Sequence, residues 1–199
     1  VTISDLTTKL SARLGYTLDT NSKPTETEAQ SFIHEGASKI VGFMPVSFLD
    51  SLATSFNVTL VASGDLVEGD MPSDYNRFVG MHDLTTSSDI DLLPITKKAQ
   101  INSGYDGILL PDYACVRNGS TFIFKGVGIA DNVWLTYIPE YDTADLATLD
   151  ERFEAGILAY ATYLSKMQDE EIQDAQLYYS EYQRELEFIV GGKESGSNE

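Results

Sequence analysis

Two apolar stripes at helical spacing close this chain, and no other feature constrains its fold as much. Phe153, Ile157, Tyr160, Leu164 and Met167 recur at alternating steps of four and three residues. Ile172, Ala175, Tyr179, Tyr182, Leu186 and Ile189 then recur at alternating steps of three and four. Phase is lost across Gln168, Asp169 and Glu170. The spacing therefore predicts two helices joined by a tight break, with Asp169 as N-cap and Glu170 and Glu171 in a first turn that favours negative charge. An antiparallel pair of amphipathic helices leaves an outer face for other elements to cover. The tail end of the chain is built for packing and has little of a reaction centre about it.

The rest of the composition bounds the answer. With 199 residues, 42% of them hydrophobic, the chain can bury one real core with an excursion from it. No apolar run reaches the ~18 residues of a membrane span. The opening Val1-Thr2-Ile3-Ser4-Asp5 has neither a basic region nor a long apolar stretch, so no signal peptide is expected. The single cysteine, Cys115, excludes an internal disulfide and a Cys-rich metal site, which suits a reducing cytosol. Thirty-one acidic against 13 basic residues give −18 at neutral pH. Such a chain does not wrap DNA by neutralising phosphates. The charge serves solubility, or a surface that stays near nucleic acid without adhering to it.

Along the chain, Asp5 to Leu14 reads as a short helix capped by Ser4 or Asp5 and ended by Gly15. Thr25 and Glu28 have capping-box spacing and open a helix with Ala29, Phe32, Ile33, Gly36, Ala37 and Ile40 on one face, stopped by Pro45. Ser47 opens a further short helix through Leu52. Phe56, Val58 and Leu60 then alternate with polar residues as in a strand. Gly64 to Asp70 reads as an acidic turn, Tyr75 to Met81 as a strand, and Leu84 to Gly104 as a short helix or ordered loop. Asn118-Gly119 between Tyr113–Arg117 and Thr121–Phe124 predicts a hairpin with a type I′ turn. Val133 to Ile138 is a further strand. The expected fold class is α+β: a mainly helical bundle with an inserted antiparallel β-rich region. Residues 1–54 form the N-terminal helices, 55–140 the insertion, 141–190 the C-terminal pair and 191–199 a flexible tail.

This order of elements resembles the head-to-tail connector proteins, or adaptors, of tailed bacteriophages. The likeness rests on the opening helix, the capped helix from Thr25 and the aromatic strand Trp134-Leu135-Thr136-Tyr137-Ile138-Pro139. It rests also on Asp150 opening a helix, and on the ending Ala175, Tyr178, Tyr179 and Tyr182. It spans most of the chain and depends on layout, with no single specific motif. The resemblance implies a ring of copies, commonly twelve, below the portal protein at the virion neck. That ring continues the DNA channel towards a tail, nozzle or tail-tube protein. It implies assembly in the bacterial cytoplasm, no membrane, DNA passing without specific binding, no cofactor and no catalytic residues. A ring contact is heterologous, so each subunit needs two different faces. Tyr178 and Tyr179 point about 100° apart on a helix, so one can enter the stripe while the other faces a neighbour. The candidate interface is Tyr178, Tyr179, Tyr182, Ile189, Val190 and Lys193.

Other residues are better explained without chemistry. His34, Glu35 and Glu28 fit a solvated helix face, and no second histidine stands at metal spacing. His82-Asp83 fits a hydrogen-bonded pair at a strand end. Asp89 and Asp91 lack a calcium loop around them, and Glu68 with Asp70 is one of many carboxylate pairs in so acidic a chain. Cys115 and Trp134 are expected in the core, and the sequons at Asn57 and Asn118 are accidental. Two rival functions remain. One is a tail-completion or other neck protein. The other is a small cell-wall hydrolase using two carboxylates, which would show a pocket where carboxylates converge and one pKa is raised.

Overall fold

Helices begin in this chain where a side chain can satisfy exposed backbone amides. The computed structural model describes residues 2–98, 101 and 110–194, the last three by backbone alone. It forms two compact units, Val1–Leu52 with Tyr141–Glu199, and Ala53–Glu140. In the first unit α1 (Ile3–Leu14) is capped by Thr2, whose hydroxyl accepts from the Asp5 amide, and ends at Gly15 with φ 81°. The cap thus lies before Ser4 and Asp5, because Asp5 itself occupies the first turn. Thr25 opens α2 (Glu26–Phe43) with a reciprocal capping box to Glu28, as the spacing predicts, and Met44 ends it before Pro45. Those hydrogen bonds from Thr25, backbone first, hold the Glu28 carboxyl below its ordinary pKa. In place of a helix from Ser47, two 3₁₀ turns follow, Val46–Phe48 and Asp50–Leu52.

Asp150 caps a 3₁₀ turn that leads into α3 (Glu154–Gln168), and α4 (Ile172–Glu194) returns beside it. The break between α3 and α4 differs from expectation. Asp169 ends α3, and Glu170 takes a left-handed φ of 62° to reverse the chain, so Asp169 does not cap α4. The last helix also runs through Glu194, past the end at 190 read from the apolar stripe. A stripe marks only where burial ends, and the backbone hydrogen-bond ladder continues beyond it. Residues 195–199 of the expected tail lie outside the described residues.

α3 is the axis of this unit. It contacts α1, α2 and α4, and Gly156 through Thr162 are all buried. The stripe read from sequence is therefore too narrow: α3 is apolar almost all round, while Met167 at its end is exposed. α2 approaches it closely at two glycines. A Cβ on Gly36 would lie 3.1 Å from the Ile157 carbonyl oxygen, and one on Gly156 would lie 3.2 Å from the Ile40 methyl. These contacts, with Tyr160 against Glu35 and Gln168 against Glu28, run in opposite chain directions, so α2 and α3 are antiparallel.

The second unit contains two sheets. One has strand order β1 (Thr54–Asn57), β9 (Val133–Pro139), β4 (Tyr75–Asp83), β5 (Ser88–Asp89). The other has order β2 (Leu60–Ser63), β3 (Leu66–Asp70), β8 (Thr121–Lys125), β7 (Ala114–Asn118), β6 (Asp91–Leu93). All pairs are antiparallel except β6 with β7. The alternating run at Phe56–Leu60 is two strands in two sheets, with buried Val58 between them. Met81, Val133, Leu135 and Tyr137 from one sheet meet Cys115, Phe122 and Phe124 from the other in one core. β3 occupies the stretch read as a turn. Its Gly69 leaves no room for a side chain, since a Cβ would fall 2.4 Å from a Val58 methyl. The β7–β8 hairpin forms, but Asn118 pairs with Thr121, leaving Gly119 and Ser120 as the loop. Only Gly119 has positive φ, 64°, the glycine-first arrangement of a type II′ turn. The segment between Leu84 and Gly104 supplies β5 and β6 and a 3₁₀ turn at Ile95–Lys97; residues 99, 100 and 102–104 of it lie outside the described residues.

Two outcomes test these supports. Thr25→Ala removes the α2 cap and is expected to cost about 1 kcal/mol in urea unfolding. Asp83 is fully buried at the end of β4. Burial raises its pKa, but hydrogen bonds from the Thr86 hydroxyl and the Thr85 amide outweigh that and leave it below the ordinary carboxylate value. Its contribution is thus present above the ordinary carboxylate pKa and is lost as pH falls through the lowered one. Between pH 7 and 3 the urea midpoint of Asp83→Asn should fall by less than that of the native chain.

Candidate functional site

The helical unit carries a groove of about 870 Å³ bordered by α2, α3 and α4. Gly42 of α2 presents only backbone to it, and a Cβ there would meet open space. Its floor is four tyrosines. Tyr160 and Tyr182 stack edge to face with centroids 5.0 Å apart, Tyr163 lies 5.1 Å from Tyr179, and Tyr160–Tyr163 and Tyr179–Tyr182 close the set at 5.7 and 6.0 Å. Pairing 160 with 182 and 163 with 179 also makes α3 and α4 antiparallel. Offset and tilted rings of this kind are the favourable arrangement for aromatic pairs. The Tyr160 hydroxyl donates to Glu35 Oε1 at 3.1 Å, and burial with that carboxylate raises its pKa well above the ordinary phenol value. Burial, with Tyr179 nearby, pushes Tyr182 up to about 12.

Around this floor the rim is open and of mixed polarity. Phe43, at the end of α2, is 62% exposed, and Tyr179 is 40% exposed. Lys39, Gln183 and Glu187 supply its polar edge. On the opposite side of α4, Leu177 and Phe188 are 68% and 75% exposed. They stand eleven residues apart, hence within about 20° of one another on the helix.

The candidate interface residues are divided by this arrangement. Tyr179 opens into the groove, while Tyr182 and Ile189 are buried within the unit. Tyr178 and Val190 are half-buried at the flanks of α4. The side chain of Lys193 lies outside the described residues. The reading from sequence missed Phe43, Lys39, Leu177 and Phe188. Phe43 had a signal, a phenylalanine directly before a helix-ending Met44-Pro45. Leu177 and Phe188 had one too, since their eleven-residue spacing puts them on one face and off the apolar stripe.

The remaining candidates disperse. His34 is half-buried, not solvated: its Nδ1 and the Tyr141 hydroxyl share a 3.0 Å hydrogen bond, and burial lowers its pKa. His82 pairs with Asp89 across β4 and β5 at 2.8 Å, while Asp83 turns inward to its threonines. Cys115 is fully buried in the sheet core, with its thiol pushed up to about 12 by burial and then by Asp91. Trp134 is not in the core. It is 37% exposed on the outer face of its sheet, and its indole N–H donates to Asn132 Oδ1 at 3.1 Å. Asp70 accepts from the Thr59 amide, and Glu68 sits beside Ile123 across the ladder. Among the described residues no three His, Cys, Asp or Glu side chains gather as metal ligands, and no helix is long and apolar enough to cross a membrane.

The helical unit of this α+β chain thus displays an aromatic groove and two exposed apolar side chains on the far side of α4. A family model described as SU10 adaptor protein matches residues 1–197. The chain belongs to the SU10 adaptor protein family, a class of bacteriophage structural adaptors, as the layout of its elements led us to expect. A search of curated proteins found no match.

The tyrosine floor generates a prediction. A phenol whose pKa is raised on folding stabilises the fold below about pH 10, the unfolded value, and that contribution is lost as pH rises through the folded value. Urea midpoints should therefore drop between pH 10 and 12, and Tyr182→Phe should flatten that drop.

Proposed function

We propose that the protein is a head-to-tail adaptor of a tailed bacteriophage, acting by assembly and not by catalysis. Copies of it, twelve as the resemblance implies, form a ring beneath the portal protein at the virion neck. The ring continues the DNA channel and receives the tail or nozzle protein on its other side. The observation that carries this reading is the match of the adaptor family over residues 1–197. The groove with exposed Phe43 and Tyr179, and the exposed Leu177 and Phe188 of α4, support it, because aromatic and aliphatic side chains of this kind are what interfaces cover. The charge supports it as well: a formal −18 repels phosphate, so DNA slides past such a wall without binding.

Mixing the purified chain with portal and imaging the product in negative stain tests the reading. Rings stacked coaxially on the portal are the expected result; a chain that ignores portal and binds tail tube alone contradicts it. Tyr178→Ala with Tyr179→Ala should leave the far-ultraviolet circular dichroism near native and reduce stacked rings at least tenfold. Normal stacking by that variant would move the interface away from α4.

A further inference from the structure

We propose that α4 carries both halves of a head-to-tail contact between copies of this chain: Leu177 and Phe188 form a ridge on its outer side, and the next copy receives them in its groove around Phe43 and Tyr179. This rests on the adaptor reading and names the occupant of the groove as a second copy.

Geometry favours it. Tyr179 and Phe188 are nine residues apart, which places them on opposite sides of an α-helix. Averaged over Tyr179, Gln183 and Leu186 on one side and Leu177 and Phe188 on the other, groove and ridge point about 160° apart around α4. A contact between unlike faces is heterologous and closes into a ring only when its two faces are suitably inclined. A self-complementary twofold contact would instead need one patch that matches itself.

Charge complementarity points to the same occupant. In the helical unit Lys9, Arg13, Arg152 and Lys166 pair with Glu154, Glu181, Asp150 and Glu171. Among the described residues of this unit Lys23, Lys39 and Arg184 form no ion pair, and the last two stand at the proposed contact. Lys39 lines the groove, and Arg184 precedes Phe188 by one turn on the ridge side. Seating the ridge brings Arg184 of one copy towards Glu187 on the groove rim of the next. It also brings the glutamate-rich flanks of α4 to Lys39. Arg184 lies between Leu177 and Phe188 along the ridge, so its pairing with Glu187 falls inside the contact, between the two apolar anchors.

The test uses particles assembled with a Gly42→Cys, Ser180→Cys chain in place of the native one, treated with a short bis-maleimide and run on a denaturing gel; Ser180 is exposed beside Leu177 and its hydroxyl donates only to Gln176 of its own helix, so both ridge anchors stay in place. A Cβ at Gly42 meets open space, and the native Cys115 is fully buried, so neither the fold nor the label is disturbed. A ladder of covalent multimers is expected, with no ladder from either single-cysteine chain. R184E should lower incorporation into particles at least tenfold, and R184E with E187R should restore it. Particles that contain the double-cysteine chain but yield only monomer overturn the proposal and leave the adaptor reading standing. A product linking the thiol introduced at position 42 to portal also overturns it, by giving the groove to a different protein. If the native chain itself is absent from particles, the adaptor reading and this proposal fall together.

Discussion

The close approach of α2 to α3 is the contact on which the helical unit depends. Gly36 and Gly156 let the two backbones near one another, and a side chain at either would press on Ile157 or Ile40 within about 3 Å. That proximity turns α3 into a helix buried on nearly every side. With α3 enclosed by α1, α2 and α4, the outer faces of α2 and α4 are set at the surface. The tyrosine-floored groove lies along the seam where α2 and α4 flank α3, with Gly42 leaving one wall bare. The groove is thus a consequence of packing, not a separately built pocket.

The strand-rich unit solves a different problem. It begins after Leu52 and returns at Tyr141, so the helical unit is assembled from both ends of the chain. Two sheets enclose one aromatic and aliphatic core, and a second cluster of Ile101, Val116 and Ile123 covers the back of the larger sheet. Buried Asp83 is compatible with this interior because Thr85 and Thr86 satisfy both of its oxygens. The exposed Trp134, held by Asn132, shows that this unit too displays an aromatic side chain outside its core.

Much of this could be read from residue order because the signals were local. Thr25 with Glu28, Asp150 and Gly15 mark helix ends through hydrogen bonds a few residues long. The hairpin at Asn118-Gly119 was legible for the same reason, though its register was not, since cross-strand packing and not the dipeptide decides which residue closes the ladder. β3 was hidden because Gly69 and the acidic Glu68 and Asp70 break the alternation; the glycine is required only by Val58 and Phe124 packed over it. The groove was illegible because it joins Phe43 to Tyr179, far apart in the chain and brought together only by α3. Tyr182 and Ile189 illustrate the converse. They belong to the stripe that docks α4 on α3, so the periodicity that reveals the helix also consumes them.

The central claim is that this chain joins head to tail through copies packed along α4. A cryo-EM reconstruction of the virion neck tests it most directly. The expected result is a ring of this chain directly under the portal, with α4 of each copy lying against α2 and α4 of the next and Phe188 density inside the neighbouring groove. A neck in which the helical units do not touch one another, or one that lacks this chain, would contradict it.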